Sequence, residues 1–289
     1  MNQKEALFNF DAVYSEHGLP QPDIFQKLTS GLRMSPSLFI IGAQKAGTNS
    51  LANYLSSQRG IIPPWHKEIS FFNNEIRFEN GDSWYKSFFS TNFIRFLRDK
   101  KNNVNTITFD ASANYFEEIK SANRIKQFNQ DAKIIVILRD PVMRAWSHYK
   151  MAVAYGFEEK TFNEALKLET ERITQNTRRH NFAFQRLGYR SKGEYVTYLK
   201  HWMNLFGNNI LVLFYEDIFA NKITELQKIH DFIGLKNKAE PEKLIHLNKG
   251  KADLINPDDL KNLKQHYAPF NQDLSELLNR SLPWQNNQS

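Results

Sequence analysis

The residues best suited to chemistry begin with a short loop bounded by Gly42 and Gly47 and containing Lys45. A buried strand of apolar residues precedes this loop, and helical spacing predicts a helix that begins at Thr48. Backbone N–H groups and the N-terminus of a helix bind anions such as phosphate, and Lys45 adds a full positive charge. The segment therefore predicts an anion cradle. The alternative is an ordinary glycine turn with a solvated lysine.

The position of the lysine distinguishes this loop from the phosphate loop of ATP- and GTP-binding proteins. That loop reads Gly-x4-Gly-Lys-Ser/Thr, with the lysine directly after the second glycine. Here the two glycines have the same separation, but Thr48 follows Gly47 directly and Lys45 precedes it by two residues. We expect the lysine to reach a bound phosphate from another direction.

A second chemically dense segment covers residues 65–72 and carries both His66 and Glu68. Either side chain could act as a general base. The competing interpretation is a surface pair of Lys67 and Glu68 beside two core phenylalanines. Both interpretations stay open from this segment alone.

A third candidate follows Lys133–Leu138, a β-branched run typical of a strand buried in a parallel sheet. Arg139 stands at its carboxyl end, Asp140 can cap a helix, and Pro141 suits the first turn of that helix. Ser147 follows two turns into the helix. An arginine fork and a hydroxyl in these places could bind a second phosphate. An arginine that pairs locally is the alternative.

These candidates need a scaffold that brings the ends of strands together, and the hydrophobic pattern predicts one. Strands are predicted at Leu38–Ile41, 106–110, Lys133–Leu138 and 209–215, and helices at 48–56, 82–99, 119–128, from 141 onward, 193–205 and 222–233. Pro269 predicts a break between two C-terminal helices, at 257–267 and 270–280. The alternation indicates an α/β fold: a single P-loop-like domain with a central, mainly parallel sheet flanked by helices. Residues 1–36 are predicted to be an N-terminal arm, and residues 37–289 the domain itself.

The composition limits the classes of protein and the cellular setting. Lys and Arg number 38 against 31 Asp and Glu, and the net charge of +7 in 289 residues suits anionic ligands. Cysteine is absent, which excludes disulfides, thiolate catalysis and cysteine metal sites, and which fits a reducing compartment. The apolar runs are too short to span a bilayer, and the first residues lack a signal-peptide core. We expect a cytoplasmic protein without a membrane span.

Several of these stretches, in the same order, resemble sulfotransferases that use 3′-phosphoadenosine 5′-phosphosulfate (PAPS), especially the branch of bacterial enzymes and heparan sulfate sulfotransferases. Residues 40–48 look like that family's 5′-phosphosulfate loop, 67–72 like its catalytic segment, and 137–147 like its 3′-phosphate segment. The further matches are Gly193-Glu194-Tyr195, Trp202, Phe206, Glu216-Asp217, Lys249-Gly250 and Tyr267-Ala268-Pro269-Phe270-Asn271. Together the matches extend over residues 38–280.

The resemblance implies transfer of a sulfuryl group from PAPS to an acceptor hydroxyl or amine, with adenosine 3′,5′-bisphosphate as the product and without a metal. It implies Glu68 as the base, His66 as the reserve candidate and Lys45 as a stabiliser of the departing phosphate oxygen. The cofactor-binding residues that it implies are Gln44, Lys45, Ala46, Gly47, Thr48, Asn49, Ser50, Arg139, Ser147, Tyr195, Lys249, Gly250 and Lys251. For the acceptor it implies Lys67, Ser112 and Tyr115.

The chain departs from the family's pattern at two positions. Asn49 stands where the family often has a second hydroxyl, so it must bind through its amide or not at all. Asp110-Ala111 precede Ser112 where many members have a lysine, so this chain lacks that lysine.

Two other classes of function stay open at this point. A P-loop kinase or NTPase would need an acidic magnesium ligand, and Asp110 could supply it. A non-catalytic anion- or nucleic-acid-binding module would use the basic stretch 172–192. We favour the sulfotransferase, and expect no nucleic acid as a partner. The acceptor is open among carbohydrate, lipid and polyketide hydroxyls, free or carrier-bound.

Overall fold

A four-stranded sheet organises the protein. The structure is a computed structural model that describes residues 21–175, 182–236, 239–245 and 255–285. The strands are β1 (Leu38–Gly42), β2 (Phe109–Ala111), β3 (Lys133–Leu138) and β4 (Ile210–Phe214). Their order is β2-β1-β3-β4, and every neighbouring pair is parallel. The prediction of an α/β fold with a central parallel sheet is confirmed.

Helices flank this sheet and connect its strands. In chain order they are α1 (Ile24–Leu28), α2 (Thr48–Ser56), α3 (Glu75–Glu79), α4 (Gly81–Lys86), α5 (Asn92–Asn102), α6 (Ile119–Phe128), α7 (Pro141–Ala154), α8 (Phe162–Gln175), α9 (Phe182–Leu187), α10 (Tyr195–Phe206), α11 (Tyr215–Ala220), α12 (Lys222–Ile233) and α13 (Pro257–Leu278). Single 3₁₀ turns lie at Ser30–Leu32, Ser191–Gly193, Gly207–Asn209 and Pro241–Lys243. In the ranges that the structure describes, no helix combines the length and the apolar character needed to cross a bilayer.

Local sequence signals determine several of these bounds. The helices α2, α6 and α12 begin and end where the hydrophobic pattern predicts. Asp140 caps α7, because its carboxylate accepts a hydrogen bond from the N–H of Val142 at 2.9 Å and Pro141 is the first helical residue. The single helix predicted over 82–99 is wrong, since α4 ends at Lys86 and α5 begins at Asn92.

The C-terminal helix also corrects the sequence prediction. Helix α13 continues through Pro269, where a break between two helices was expected. Proline removes one backbone hydrogen bond and clashes with the preceding turn. Here the helix buries Leu263 and Tyr267 before the proline and Leu274 after it. Packing of one apolar face on both sides of Pro269 therefore holds the helix together.

The parallel strands place three loops together at their carboxyl ends, and this arrangement positions the candidate site. Strand β1 lies between β2 and β3, and the register pairs Gly42 with Val136. The N–H of Ala43 donates to the carbonyl of Ile137 at 2.7 Å, so the loop after β1 begins beside the end of β3. Ligands of open parallel sheets bind outside the carboxyl ends of the strands. The segments that follow β1, β2 and β3 all leave the sheet at the carboxyl ends of its strands.

Candidate functional site

The glycine-bounded loop leaves β1 and leads directly into α2. Gly47 caps this helix with a left-handed φ of 95° and provides no side-chain hydrogen bond to the first turn. A Cβ atom at Gly42 would lie 2.7 Å from the Cβ of Phe116, and one at Gly47 would lie 3.1 Å from the ring of Tyr215. Both positions therefore require glycine. The N-terminal N–H groups of α2 keep the capacity to bind an anion.

Lys45 occupies the middle of this loop with a φ of 71°. Its amine contacts the sulfur of Met151 at 3.6 Å. Burial, and after it the charges of Arg139, Arg144 and Lys150, lower the pKa of Lys45 to about 8. Several cations thus surround a loop whose backbone favours anions. An anion bound there would relieve their mutual repulsion.

Arg139 reaches the same loop from the end of β3. Its guanidinium donates to the carbonyl of Lys45 at 3.0 Å and lies 4.5 Å from the centre of the Tyr215 ring. The hydroxyl of the buried Tyr195 donates to the carbonyl of Arg139 at 2.8 Å. The structure thus joins Lys45, Arg139 and Tyr195, three of the predicted cofactor residues, in one constellation.

Ser147 lies on the face of α7 that turns toward this loop. It shares that face with Arg144, His148 and Met151, since residues three and four apart on a helix are neighbours. Arg144 and His148 are fully buried, whereas Ser147 is partly exposed. Met151 is the residue of this face that contacts Lys45. The Ser147 hydroxyl is therefore on the same helical face as the residue that contacts Lys45, and it is not fully buried.

The other residues that were predicted to bind the cofactor differ in their exposure. Those buried in the loop or in the first turn of α2 are Gln44, Ala46, Thr48 and Ser50. Asn49, the departure from the family's pattern, is exposed. Residues 249–251, including Lys249, Gly250 and Lys251, lie outside the described part of the chain.

Glu68 is held by the segment that follows β2. Its Oε2 accepts a hydrogen bond from the N–H of Ala113 at 3.0 Å. Burial raises the pKa of Glu68 to about 7, and the charge of Asp110 acts in the same direction, while the hydrogen bond from Ala113 and the charge of Lys192 oppose them. A carboxyl that titrates near neutrality suits a general base.

His66 and Lys67 make other contacts. The Nδ1 of His66 lies 2.6 Å from the carbonyl oxygen of Lys67, and burial lowers the pKa of this imidazole. Lys67 is exposed, and its amine donates to the side-chain oxygen of Asn53 at 3.1 Å. Of the two candidate bases, Glu68 is the one bonded to the segment beside the loop.

A buried carboxylate lies beneath the segment that carries Glu68. Asp110 is fully buried and accepts hydrogen bonds from the hydroxyls of Tyr85, Ser112 and Tyr115, each at 2.8 Å. Burial raises the pKa of this carboxyl, and the three hydroxyl donors oppose the rise. The oxygens of Asp110 are thus committed to these hydroxyls. This arrangement disfavours the magnesium role that the kinase alternative requires.

Ser112 and Tyr115 connect this carboxylate to the backbone of the segment that carries Glu68. The Oγ of Ser112 accepts from the N–H of Ser70, and the hydroxyl of Tyr115 accepts from the N–H of Phe71, both at 2.9 Å. Both side chains are fully buried. Their predicted contact with the acceptor stays a prediction. The hydrogen bonds that they make fix the residues next to Glu68.

We expect the substitution Tyr115→Phe to destabilise the fold by about 1–3 kcal/mol, because it leaves the N–H of Phe71 buried without a partner and removes one donor to Asp110. Urea unfolding followed by circular dichroism measures this change. Tyr85→Phe is the matched control, since it removes a donor to Asp110 but leaves the hydrogen bond of Phe71 intact. Equal losses for the two variants would contradict the role given to the Phe71 hydrogen bond.

Lys192 is a candidate that sequence reasoning missed. The sequence placed it at the end of a charged stretch that was expected to be mostly solvated, but its side chain is 1% exposed. Its amine donates to the side-chain oxygens of Gln44 at 2.9 Å and Asn114 at 2.8 Å. Burial lowers its pKa to about 8, and Glu117 opposes this shift. Lys192 thus connects the glycine-bounded loop to the segment that holds Glu68.

One sequence signal could have identified Lys192. It directly precedes Gly193, where a Cβ atom would lie 2.7 Å from the hydroxyl of Tyr267. A glycine required by such a close approach marks a tightly packed backbone. A lysine beside it is therefore a better candidate for burial than the other cations of the stretch.

The remaining described members of the basic stretch contact their own chain. Arg172 pairs with Glu158 at 2.6 Å, and Arg190 donates to the hydroxyl of Thr170 at 3.2 Å. Arg178, Arg179 and His180 lie outside the described residues. These intramolecular contacts favour a structural role for Arg172 and Arg190 over a nucleic-acid surface.

Comparison with known proteins gives a family match and curated relatives. A family model described as a sulfotransferase domain matches residues 35–256. Bifunctional heparan sulfate N-deacetylase/N-sulfotransferase 1 of Xenopus laevis is 28% identical over 221 residues, which cover 75% of this chain and 24% of that protein. Human heparan sulfate glucosamine 3-O-sulfotransferase 5 is 25% identical over 271 residues, which cover 86% of this chain and 74% of that protein. The chain thus spans 24% of the length of the first curated relatives that it matches.

Solved structures give the same match at the level of the fold. A sulfotransferase from Alicyclobacillus acidocaldarius superposes with a TM-score of 0.67 at 26% identity, covering 88% of this chain and 99% of that one. Mouse sulfotransferase SULT7A1, solved as a complex with PAP, shares the fold at a TM-score of 0.50 and 14% identity, over 90% of this chain and 94% of that one.

Proposed function

Because the chain belongs to the sulfotransferase domain family, we propose that it transfers a sulfuryl group from PAPS to an acceptor hydroxyl, with Glu68 as the general base. One observation carries this proposal. Residues 113 and 114 hold both parts of the site, because Ala113 donates to Glu68 and Asn114 accepts from Lys192, which also binds Gln44 of the loop. A buried carboxyl of raised pKa and the glycine-bounded loop are therefore linked through Ala113, Asn114 and Lys192, which supports a base beside an anion site.

The cradle fits the two phosphate groups of such a donor. Lys45, Thr48 and the first N–H groups of α2 would hold the phosphosulfate end, because the cap residue Gly47 leaves these donors available. Arg139 and Ser147 would hold the second phosphate through charge-assisted hydrogen bonds. Tyr195 would keep Arg139 in place through the carbonyl that it binds. Lys249, Gly250 and Lys251 remain proposed ligands on the strength of the resemblance.

Glu68 would take the proton of the acceptor hydroxyl as the acceptor oxygen forms its bond to sulfur. When bound, PAPS supplies an activated sulfuryl group, whose in-line transfer leaves negative charge on the 5′-phosphate oxygen. Lys45 would stabilise that charge from a fixed position, which is the kind of electrostatic contribution that dominates many enzymes. The hydrogen bond from Ala113 to Oε2 would orient the Glu68 carboxylate, and Oε1 would take the proton.

The acceptor is proposed to be a carbohydrate, with a lipid or polyketide alcohol as the next choice. The names of the curated relatives point to heparan sulfate as their substrate. Lys67 is exposed near Glu68 and would meet an acidic acceptor. We also propose that residues 37–289 form the catalytic domain, with residues 1–36 as an arm, and that the protein acts in the cytoplasm.

Calorimetry with adenosine 3′,5′-bisphosphate tests this proposal without knowledge of the acceptor. We expect the intact chain to bind this product. Arg139→Lys is expected to weaken binding by roughly tenfold to a hundredfold, because lysine lacks the bidentate fork and each charge-assisted hydrogen bond contributes about 1.5–3 kcal/mol. Arg190→Lys, which alters an arginine bonded to Thr170, is the matched control and should bind normally. The absence of heat with the intact chain would overturn the proposed function.

A further inference from the structure

Helix α5 presents its apolar side chains to solvent. The exposed residues are Phe93 (67%), Ile94 (49%), Phe96 (51%) and Leu97 (50%), and α5 buries none of its residues. At 100° per residue these four positions fall on one arc of the helix. An amphipathic helix of a globular protein normally turns such an arc toward the core. Here the arc is exposed, and no residue of the helix is buried.

A second group of exposed apolar residues lies on the segment that leads to Arg33. Ile24, Phe25, Leu28 and Leu32 are each at least 65% exposed. This segment continues to Arg33, which forms a bridge with Thr91, and the carbonyl of Arg33 accepts from the side chain of Asn92 at 3.3 Å. The residue before α5 and its first residue are therefore joined to the end of this segment. We call the two groups of four side chains together the apolar face.

The charges around the apolar face have mostly one sign. Segments 21–33 and 92–102 carry six basic residues and two acidic ones. One of the acidic residues, Asp99, accepts from the backbone N–H of Thr106 at 2.7 Å and is thus occupied within the chain. Lys100 lies 4.6 Å from the centre of the Phe96 ring, so a positive charge lies directly on the apolar arc. The partner that fits must be apolar and anionic together.

We propose that the apolar face docks on the surface of a lipid bilayer that contains anionic headgroups. Such a surface offers an acyl region for the phenylalanine, leucine and isoleucine side chains and negative charge for the lysines and arginines. A second copy of the chain fits less well, since a two-fold contact through this face would bring the same cations together. The site of sulfuryl transfer is not part of this face. The inference therefore stands independently of the proposed function.

Co-sedimentation of the full-length chain with vesicles tests the proposal. We expect binding to vesicles of phosphatidylcholine and phosphatidylglycerol, weaker binding to phosphatidylcholine alone, and a loss of binding in high salt. Each basic residue near an anionic surface contributes roughly fivefold to partitioning, so the triple variant Arg95→Gln, Lys100→Gln, Lys101→Gln should lose about a hundredfold. The double variant Phe93→Ser, Phe96→Ser should lose binding to a similar degree.

The control is the double variant Ile223→Ser, Ile245→Ser, which removes two exposed isoleucines that lie elsewhere in the sequence. It should bind vesicles as the unaltered chain does, and circular dichroism melting should be the same for all variants. Failure of the intact chain to bind anionic vesicles would overturn the proposal. So would binding that the Phe93 and Phe96 substitutions leave unchanged, or a dimer in sedimentation equilibrium that the same substitutions dissociate.

Discussion

Replacing Lys45 by methionine is expected to slow sulfuryl transfer by roughly 10²–10³, the usual effect of removing one preorganised donor from a developing oxyanion. Among the described residues the Lys45 amine contacts a thioether, the sulfur of Met151, which is a weak acceptor, so most of its hydrogen-bonding capacity would serve a bound ligand. Burial beside Arg139, Arg144 and Lys150 keeps the charge in a place that water screens poorly. Methionine keeps the length of the side chain and removes the charge.

A panel of hydroxyl compounds is first screened for one that the unaltered protein sulfates. Single-turnover transfer of the radiolabelled sulfuryl group from PAPS to that acceptor then measures the effect. Lys150→Met is the matched control, because it removes a neighbouring positive charge outside the loop. We expect it to change the rate by much less than Lys45→Met. A rate for Lys45→Met equal to that of the unaltered enzyme would remove Lys45 from the proposed role. Equal losses of rate in both variants would show that the rate depends on the total positive charge around the loop and not on Lys45 in particular.

Three of the four strands and the loops at their ends could be predicted because their signals are local, whereas the strand predicted at 106–110 is observed at Phe109–Ala111. A β-branched run such as Lys133–Leu138 reads as a buried parallel strand without knowledge of its neighbours. The cap at Asp140 and the glycines at 42 and 47 are likewise visible in a few residues. The expected break at Pro269 is local too, but it proved wrong because packing of α13 on both sides of the proline outweighed the local signal.

The contacts that build the site could not be predicted because they join distant parts of the chain. Lys192 lies 148 residues from Gln44, and nothing in its own stretch distinguishes it as buried except the neighbouring glycine. Ser112 and Tyr115 were expected to contact the acceptor because of the resemblance to the family. Their burial and their hydrogen bonds to Asp110 depend on the position of β2 as an outer strand of the sheet, which the sequence does not specify.

Replacing Glu68 by glutamine is expected to abolish most turnover while leaving the affinity for adenosine 3′,5′-bisphosphate unchanged. Loss of a general base typically costs about 10²–10⁴ in rate. Among the described residues, the hydrogen bond of the Glu68 carboxylate is to Ala113 rather than to the glycine-bounded loop, so the product should bind as before. Glu118→Gln is the matched control, since Glu118 is a partly buried carboxyl of raised pKa on the segment after β2, which also contains Ala113. His66→Gln tests the reserve candidate and should retain most of the activity.

The pH dependence of kcat/KM distinguishes a general base from a residue that only positions other groups. Glu68 must be ionised to accept a proton, and burial raises its pKa to about 7. The value of kcat/KM should therefore rise with pH and level off above about 7, since this ratio reports the free enzyme. In Glu68→Gln the residual activity should lose this acid limb, whereas Glu118→Gln and His66→Gln should retain it. If His66→Gln instead removed the limb while Glu68→Gln kept it, the imidazole would be the base, and Glu68 would be a structural carboxyl held by Ala113.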